Sequence, residues 1–421
     1  MNVRDRVKAI PRIRPTIPLE DILLFVFNIF KSKSIGDREE IIASFEKAFT
    51  ARYNLPPGIA VGRARMAFYY LLKNMKLKPG GEVIISGIHV ADFINIIRLA
   101  GFIPVVVDLK KNGYLLDIDD LERKINSNTV AMLITHLFGY SNDMNAIMTV
   151  ARKRNIPFIE DCSQAVSSCY GGKPLGTFGE AAIYSLSLLK PVCTINGGMI
   201  ISANQKLLAD IRNDIRNLPA MTIMGPLAEA FKNIVLKTIT QSNLFTFVTF
   251  PLIKLTILKD DYLAKYQKTN KTVSLRASLP KTFLEKFSWQ QAILGLSQLR
   301  SLKQREDKRI ENGLYLYQNI NNEHVTKPQG VNSQSENTFW LFPVQVNKPS
   351  QFRNYLAKHK IDCSKMLLSC VCEEEAFKGF RFDCPQAQDI KAKTIFIPGY
   401  VDLKRDQLEY VISVINEYRE E

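Results

Sequence analysis

No two of the seven cysteines (162, 169, 193, 363, 370, 372 and 384) form a CxxC pair, and their number is odd. Cys370 and Cys372, one residue apart, suit neither a zinc ribbon nor a redox motif. The pattern predicts no metal site and a set of reduced, mostly packed thiols in a cytosolic chain. Also missing are a Lys/Arg block, an RNA-binding signature and zinc-finger spacing, which weighs against nucleic acid as a partner. No uninterrupted apolar run reaches the roughly 18 residues that a membrane-crossing helix needs. No small-residue cleavage site follows the basic N-terminus MNVRDRVKAIPRIRP, so no signal peptide is expected. Internal repeats and low-complexity tracts are absent as well.

What is present is a chain of 421 residues, 46% of them apolar, with room for two domains and a sizeable core. Its net charge of +15 favours an anionic partner, such as lipid head groups or phosphorylated substrates. An apolar run from Ile22 to Phe30, broken only by Asn28, is flanked by Arg12, Arg14, Lys31 and Lys33. Two readings stay open: a helix lying on an anionic membrane surface, or an N-terminal helix packed onto the protein. A second apolar stretch, residues 231–258, is interrupted by Pro251 and by lysines at 232, 237 and 254. It reads as a peripheral membrane anchor, with a buried subunit contact or an active-site lid as the alternative.

Between these stretches strand and helix alternate. Residues 83–86, 103–107 and 130–135 read as strands, and 91–100, 117–125 and 143–154 as helices. Such alternation predicts an α/β fold with a mostly parallel sheet covered on both faces. Ahead of it, Ile59-Ala60-Val61-Gly62-Arg63-Ala64 is a strand and glycine turn opening into a helix. Free N–H groups at such a helix start suit a phosphate, and Arg63 or Arg65 could add charge. Later come helices at 206–217 and 287–317, a strand at 339–346, and helices at 351–359 and 406–418. The boundaries expected are an N-terminal helical segment (1–58), a large domain (59–220), an atypical apolar insertion (221–282) and a smaller α+β domain (283–421).

The chemistry concentrates in residues 159–202. One strand ends in Glu160-Asp161, the next ends at Ser185, Lys190 follows five residues later, and Gly197-Gly198 opens a third. A carboxylate at one strand end and a lysine in the next loop suggest one polar site at a sheet edge. Lysine is the residue type that can join a carbonyl cofactor as a Schiff base. The segment resembles the pattern EDxAQ…GxxxGxxG…SFxxxK…GG of the DegT/StrS group of PLP-dependent nucleotide-sugar aminotransferases. Here it reads Glu160-Asp161-Cys162-Ser163-Gln164, then Gly172, Gly176 and Gly179, then Ser185 to Lys190, then Gly197-Gly198.

The resemblance implies fold type I: a large domain on a mostly parallel seven-stranded sheet with a smaller α+β C-terminal domain. It implies pyridoxal 5′-phosphate (PLP), bound through Lys190, which also moves the substrate proton once burial and the cationic cofactor lower its pKa. Asp161 would hold the pyridine nitrogen, Gln164 would bond near the ring oxygen, and Ser185 with Gly62-Arg63-Ala64 would bind the phosphate. Arg63 stands where a threonine is usual, so the backbone contact carries that expectation. The aromatic that stacks on the ring falls on Val90, and His89 beside it is taken as the stacker. His136 is expected to shape the pocket. Members that dehydrate sugars carry histidine where Lys190 stands, so amino transfer is implied. The donor would be glutamate, and the acceptor a keto-sugar, nucleotide-linked in this group, destined for cell-surface polysaccharide or glycolipid; the two apolar stretches add a lipid-linked keto-sugar as an alternative. Also implied is a homodimer, for which Arg276-Ala277-Ser278 is the nearest match to a cross-subunit loop. The location expected is cytoplasmic, peripheral on the inner face of the membrane. A second reading is a non-catalytic PLP-fold scaffold or sensor at the membrane. The residues at Arg63 and Val90 sustain it, and the Lys190/Asp161 pair opposes it.

Overall fold

The computed structural model describes residues 8–257, 273–380 and 382–420. Its centre is a seven-stranded sheet of β1 (Gly58–Val61), β2 (Glu82–Ser86), β3 (Ile103–Val107), β4 (Thr129–Thr135), β5 (Phe158–Asp161), β6 (Ala181–Ser185) and β7 (Gly198–Ile201). The order is β1-β7-β6-β5-β4-β2-β3. Strand β7 runs antiparallel to both neighbours, and the other pairings are parallel. The strands are apolar on both faces because both faces are covered. Along β4, Ala131 and Leu133 enter one core cluster while Met132 and Ile134 enter the other. The two-residue repeat of a strand divides its side chains in this way.

Helices α1 (Leu19–Ile29) and α2 (Ile35–Arg52) precede the sheet. Helices α3 (Ala64–Asn74), α4 (Asp92–Leu99), α5 (Ile118–Lys124) and α6 (Met144–Arg154) lie between its strands, and α7 (Gln205–Arg216) follows it. Local chemistry sets their ends. The Asp143 carboxylate caps α6 by accepting from the Ala146 N–H, and Asn155 closes that helix in the left-handed region.

Residues 231–257 of the apolar stretch lie in α8 (Met224–Ile239), a further helical piece over 242–249, and α9 (Phe250–Ile257). Among the described residues no helix is long and apolar enough to cross a membrane. Residues 258–272 of the insertion expected at 221–282 lie outside the described residues. Helix α10 (Trp289–Asn319) opens on a capping box between Ser288 and Gln291. Beyond it, Phe342–Gln345, Thr394–Ile397 and Ser364–Lys365 form a small antiparallel sheet. The pair Ser369–Cys370 bonds to Ile88–His89 and so ties this C-terminal part to the edge of the large sheet.

One expectation needs correction. The cysteines are not all reduced: Cys372 and Cys384 form a disulfide, with Cα atoms 6.4 Å apart. Short 3₁₀ turns over Val371–Glu373 and Glu375–Phe380 bring the two together, a proximity that their spacing in the chain does not reveal. The other five are free thiols, all buried except the half-buried Cys169.

Candidate active site

The carboxyl ends of parallel strands share one edge of the sheet, and the loops leaving that edge make a crevice. Asp161 ends β5 and Ser185 ends β6, and the loop after β6 carries Lys190. All three line one cavity of about 280 Å³, together with His89, Gln164 and Trp340. A larger cavity of about 470 Å³ lies between α2, α3 and α7, away from this chemistry.

Lys190 is 9% exposed. Its Nζ sits 3.6 Å from the centre of the Trp340 ring, and the Trp340 indole N–H donates to the Leu189 carbonyl at 2.8 Å. Burial pulls the Lys190 pKa from 10.5 down to about 7, against the opposing pull of the Asp161 charge. The amine is therefore available neutral near neutral pH, as a nucleophile or base must be.

Burial alone would raise the Asp161 carboxyl. Its bonds to His89 and Ser163 outweigh that and hold it below the ordinary carboxylate range. His89 Nε2 lies 3.3 Å from Asp161 Oδ2, and the Ser163 backbone N–H donates to Asp161 Oδ1 at 2.9 Å. His89 Nε2 is also 3.0 Å from the Thr135 hydroxyl, and the ring packs against Phe93 with centroids 4.4 Å apart. The cavity thus presents an amine that gives up its proton near neutral pH together with a fixed negative charge.

At the start of α3 the first intrahelical bonds run from the Met66 and Ala67 N–H groups to the Arg63 carbonyl. The N–H groups of Ala64 and Arg65 are left for an anion. Gly198 makes room there, since a Cβ on it would stand 2.7 Å from Ala64 N. The Arg63 side chain does not lie free over this helix start. Its guanidinium donates to Thr282 O at 2.9 Å and to Asn196 Oδ1 at 3.2 Å. Arg65 and Arg276 share Asp92, at 3.2 and 2.7 Å, and with Arg63 they surround the Phe283 ring.

Gln164 accepts from the Phe138 N–H through Oε1 at 2.9 Å. Ser185 Oγ is 2.9 Å from Ser187 Oγ. Val90 lines the cavity beside His89. His136 stands behind the cavity, not in its wall, with Nε2 3.3 Å from Glu160 Oε2. The Glu160 oxygens also accept from the N–H groups of Gly176, Phe178 and Gly179, so the glycine-rich turn and His136 satisfy that carboxylate.

Sequence reasoning missed Trp340, Thr135, Asn196 and the wall segment 367–369. Trp340 is one of only two tryptophans, and that scarcity was the one signal available.

The sequence model of the DegT/DnrJ/EryC1/StrS aminotransferase family matches residues 20–235 and 264–416. The chain is 25% identical over 379 residues to a dTDP-3-amino-3,6-dideoxy-alpha-D-galactopyranose transaminase of Aneurinibacillus thermoaerophilus, covering 90% of each. It is 30% identical over 204 residues to a GDP-perosamine synthase of Escherichia coli O157:H7. That match takes in 48% of this chain and only 56% of the relative's length. Among solved structures, the sugar aminotransferase CalS13 from Micromonospora echinospora superposes with a TM-score of 0.74 at 18% identity, over 97% of this chain and 99% of that one. The fold is that of the fold type I aminotransferases.

Proposed function

Because the chain belongs to the DegT/DnrJ/EryC1/StrS aminotransferase family, whose members depend on PLP, we propose that it aminates a keto-sugar. The amino donor in this reading is glutamate. The acceptor is nucleotide-linked or lipid-linked, on the way to a cell-surface polysaccharide or glycolipid. One observation carries the proposal: Lys190, with its pKa near 7, and the ionised Asp161 line the same cavity.

The donor set fits the cofactor: an amine for its aldehyde, a carboxylate for its ring nitrogen, and N–H and hydroxyl groups for its phosphate. When bound, PLP supplies an electron sink for the carbon that loses its proton. Asp161 keeps a proton on the ring nitrogen. Its ionised state is held by His89 and Ser163, so a change at His89 is felt at that nitrogen. Lys190 takes the substrate proton and returns it, which a lysine at its ordinary pKa could not do efficiently near neutrality. Trp340 limits where the Lys190 amine can point. The Ala64 and Arg65 N–H groups and the Ser185 hydroxyl orient the phosphate, with Gly62 and Arg63 shaping the turn before them. His89 would stack on the ring, and Gln164 would bond near its oxygen.

In this reading residues 59–220 hold the cofactor and 283–421 form the smaller domain. The enzyme works as a homodimer in the cytoplasm, at the inner face of the membrane. The test is to incubate the purified protein with ¹⁵N-labelled glutamate and a panel of keto-sugar nucleotides and membrane lipid extracts. Mass spectrometry should find label on a sugar. No transfer from any amino donor, in protein that holds PLP, would instead favour the scaffold reading.

A further inference from the structure

Helices α1 and α8 are apolar on two sides. On α1, Ile22, Phe25 and Ile29 are buried in a cluster that also holds Ala230 of α8. The opposite side carries Leu19, Leu23, Phe27 and Phe30 at helical spacing, with Phe27 61% and Phe30 78% exposed. On α8, Phe231 is 65% exposed and Val235 lies one turn on. Past it Phe247 is 75% exposed, and Leu252 and Leu255 on α9 are also exposed.

These helices are tied to one another. Lys237 Nζ bonds to Ile17 O at 2.8 Å, Thr249 Oγ1 to Ile239 O at 2.9 Å, and the Ala9 N–H to Thr246 Oγ1 at 3.0 Å. Large apolar side chains exposed on helices joined in this way point to an interaction site. Lysines punctuate it. Lys31 lies 4.2 Å over the Phe27 ring, Lys232 follows Phe231, and Lys254 stands between Leu252 and Leu255. Among the described residues, the acidic groups beside it include Glu20, Glu229, which pairs with Lys232, and Asp21, which is buried on Ser297.

We propose that this face docks in the plane of a bilayer containing anionic lipid, its aromatic and leucine side chains in the acyl boundary and its lysines among the head groups. Helix α1, at 11 residues, is about 16 Å long, which suits lying on a membrane and not crossing it. A second copy of the chain is the poorer occupant. A two-fold contact brings the patch against a second copy of itself, so one lysine-bearing face would meet another. Anionic head groups neutralise them. Cys193 and Ile195, from the loop between Lys190 and Gly197, pack in the same cluster as α1. The docked face therefore backs onto the lysine loop. The docking is separate from the amino-transfer chemistry, and its test reads lipid binding alone.

The test floats the full-length protein with vesicles of phosphatidylcholine alone or mixed with phosphatidylglycerol. Wild type should float with the anionic vesicles and lose binding as salt rises. The double variant Phe27→Glu/Phe231→Glu should bind at least roughly tenfold more weakly per phenylalanine lost. Lys31→Glu/Lys232→Glu/Lys254→Glu should lose roughly fivefold per lysine on anionic vesicles only. All these residues are outward, so far-UV circular dichroism and Tm should match wild type, and light scattering should report an unchanged oligomeric state. Three results overturn the proposal: no flotation of wild type, equal flotation of wild type and the phenylalanine variant, or a phenylalanine variant that dissociates into monomers while still binding vesicles. The last would make the face a contact between copies.

Discussion

Burial of the Lys190 amine has a cost that a stability titration can measure. Its pKa falls from the ordinary 10.5 to about 7, and that difference corresponds to roughly 4.8 kcal/mol favouring the neutral form in the folded chain. The sign follows from proton counting. Between pH 7 and 10.5 the unfolded chain holds a proton on this lysine that the folded chain does not. Over that window Lys190 makes the cofactor-free fold gain stability as pH rises, by about 1.4 kcal/mol per pH unit. Below pH 7 both states carry the proton and the full penalty stands. Above 10.5 neither does, and the penalty is gone.

Lys190→Met keeps the volume and removes the titration. Urea unfolding of cofactor-free wild type and variant at several pH values, taken as the difference between the two, cancels the tyrosines and cysteines that titrate in the same range. The variant should be more stable by several kcal/mol at pH 7, and the gap should close by about 2.3 kcal/mol between pH 7 and 9. Parallel stability curves would mean that Lys190 is not desolvated, and the basis for its reactivity would be lost.

Other expectations follow from the same geometry. Asp161→Asn should retain the fold and the cofactor but lower kcat by roughly 10²-fold or more with little change in KM, because it removes a charge used as the proton is abstracted. His89→Phe removes a bond that holds the Asp161 carboxyl low, so the acid limb of the pH–rate profile should move upward; an unmoved limb would show that His89 does not set that ionisation. Gly198→Ala places a methyl 2.7 Å from Ala64 N and should cost about 1–3 kcal/mol, with a weakened affinity for PLP measured by equilibrium dialysis.

How much of this the chain announced in advance depends on how local each signal is. The strand at 103–107 and the helices at 92–99, 118–124 and 144–154 follow from runs of apolar residues punctuated by Asp117, Asp143 and Asn155, so they could be read directly. Asp161, Ser185 and Lys190 could be placed together because strand ends in a parallel sheet share an edge. Trp340 could not. It reaches Leu189 across about 150 residues, through the packing of a second sheet that no short-range pattern encodes. The Cys372–Cys384 bond escaped for the same reason, since two 3₁₀ turns with no strong periodicity bring the sulfurs together. Arg63 is visible in the sequence, but Thr282 and Asn196, which fix its guanidinium, come from distant loops.

The central claim is that the amine of residue 190 is the one the cofactor joins. The protein is loaded with PLP and reduced with borohydride, which makes any lysine linkage permanent, and then digested for mass spectrometry. The account predicts the pyridoxyl mass on the peptide containing Lys190, with none in protein treated with excess glutamate before reduction. A label on any other lysine, or a full label on the Lys190→Ala variant, would contradict it.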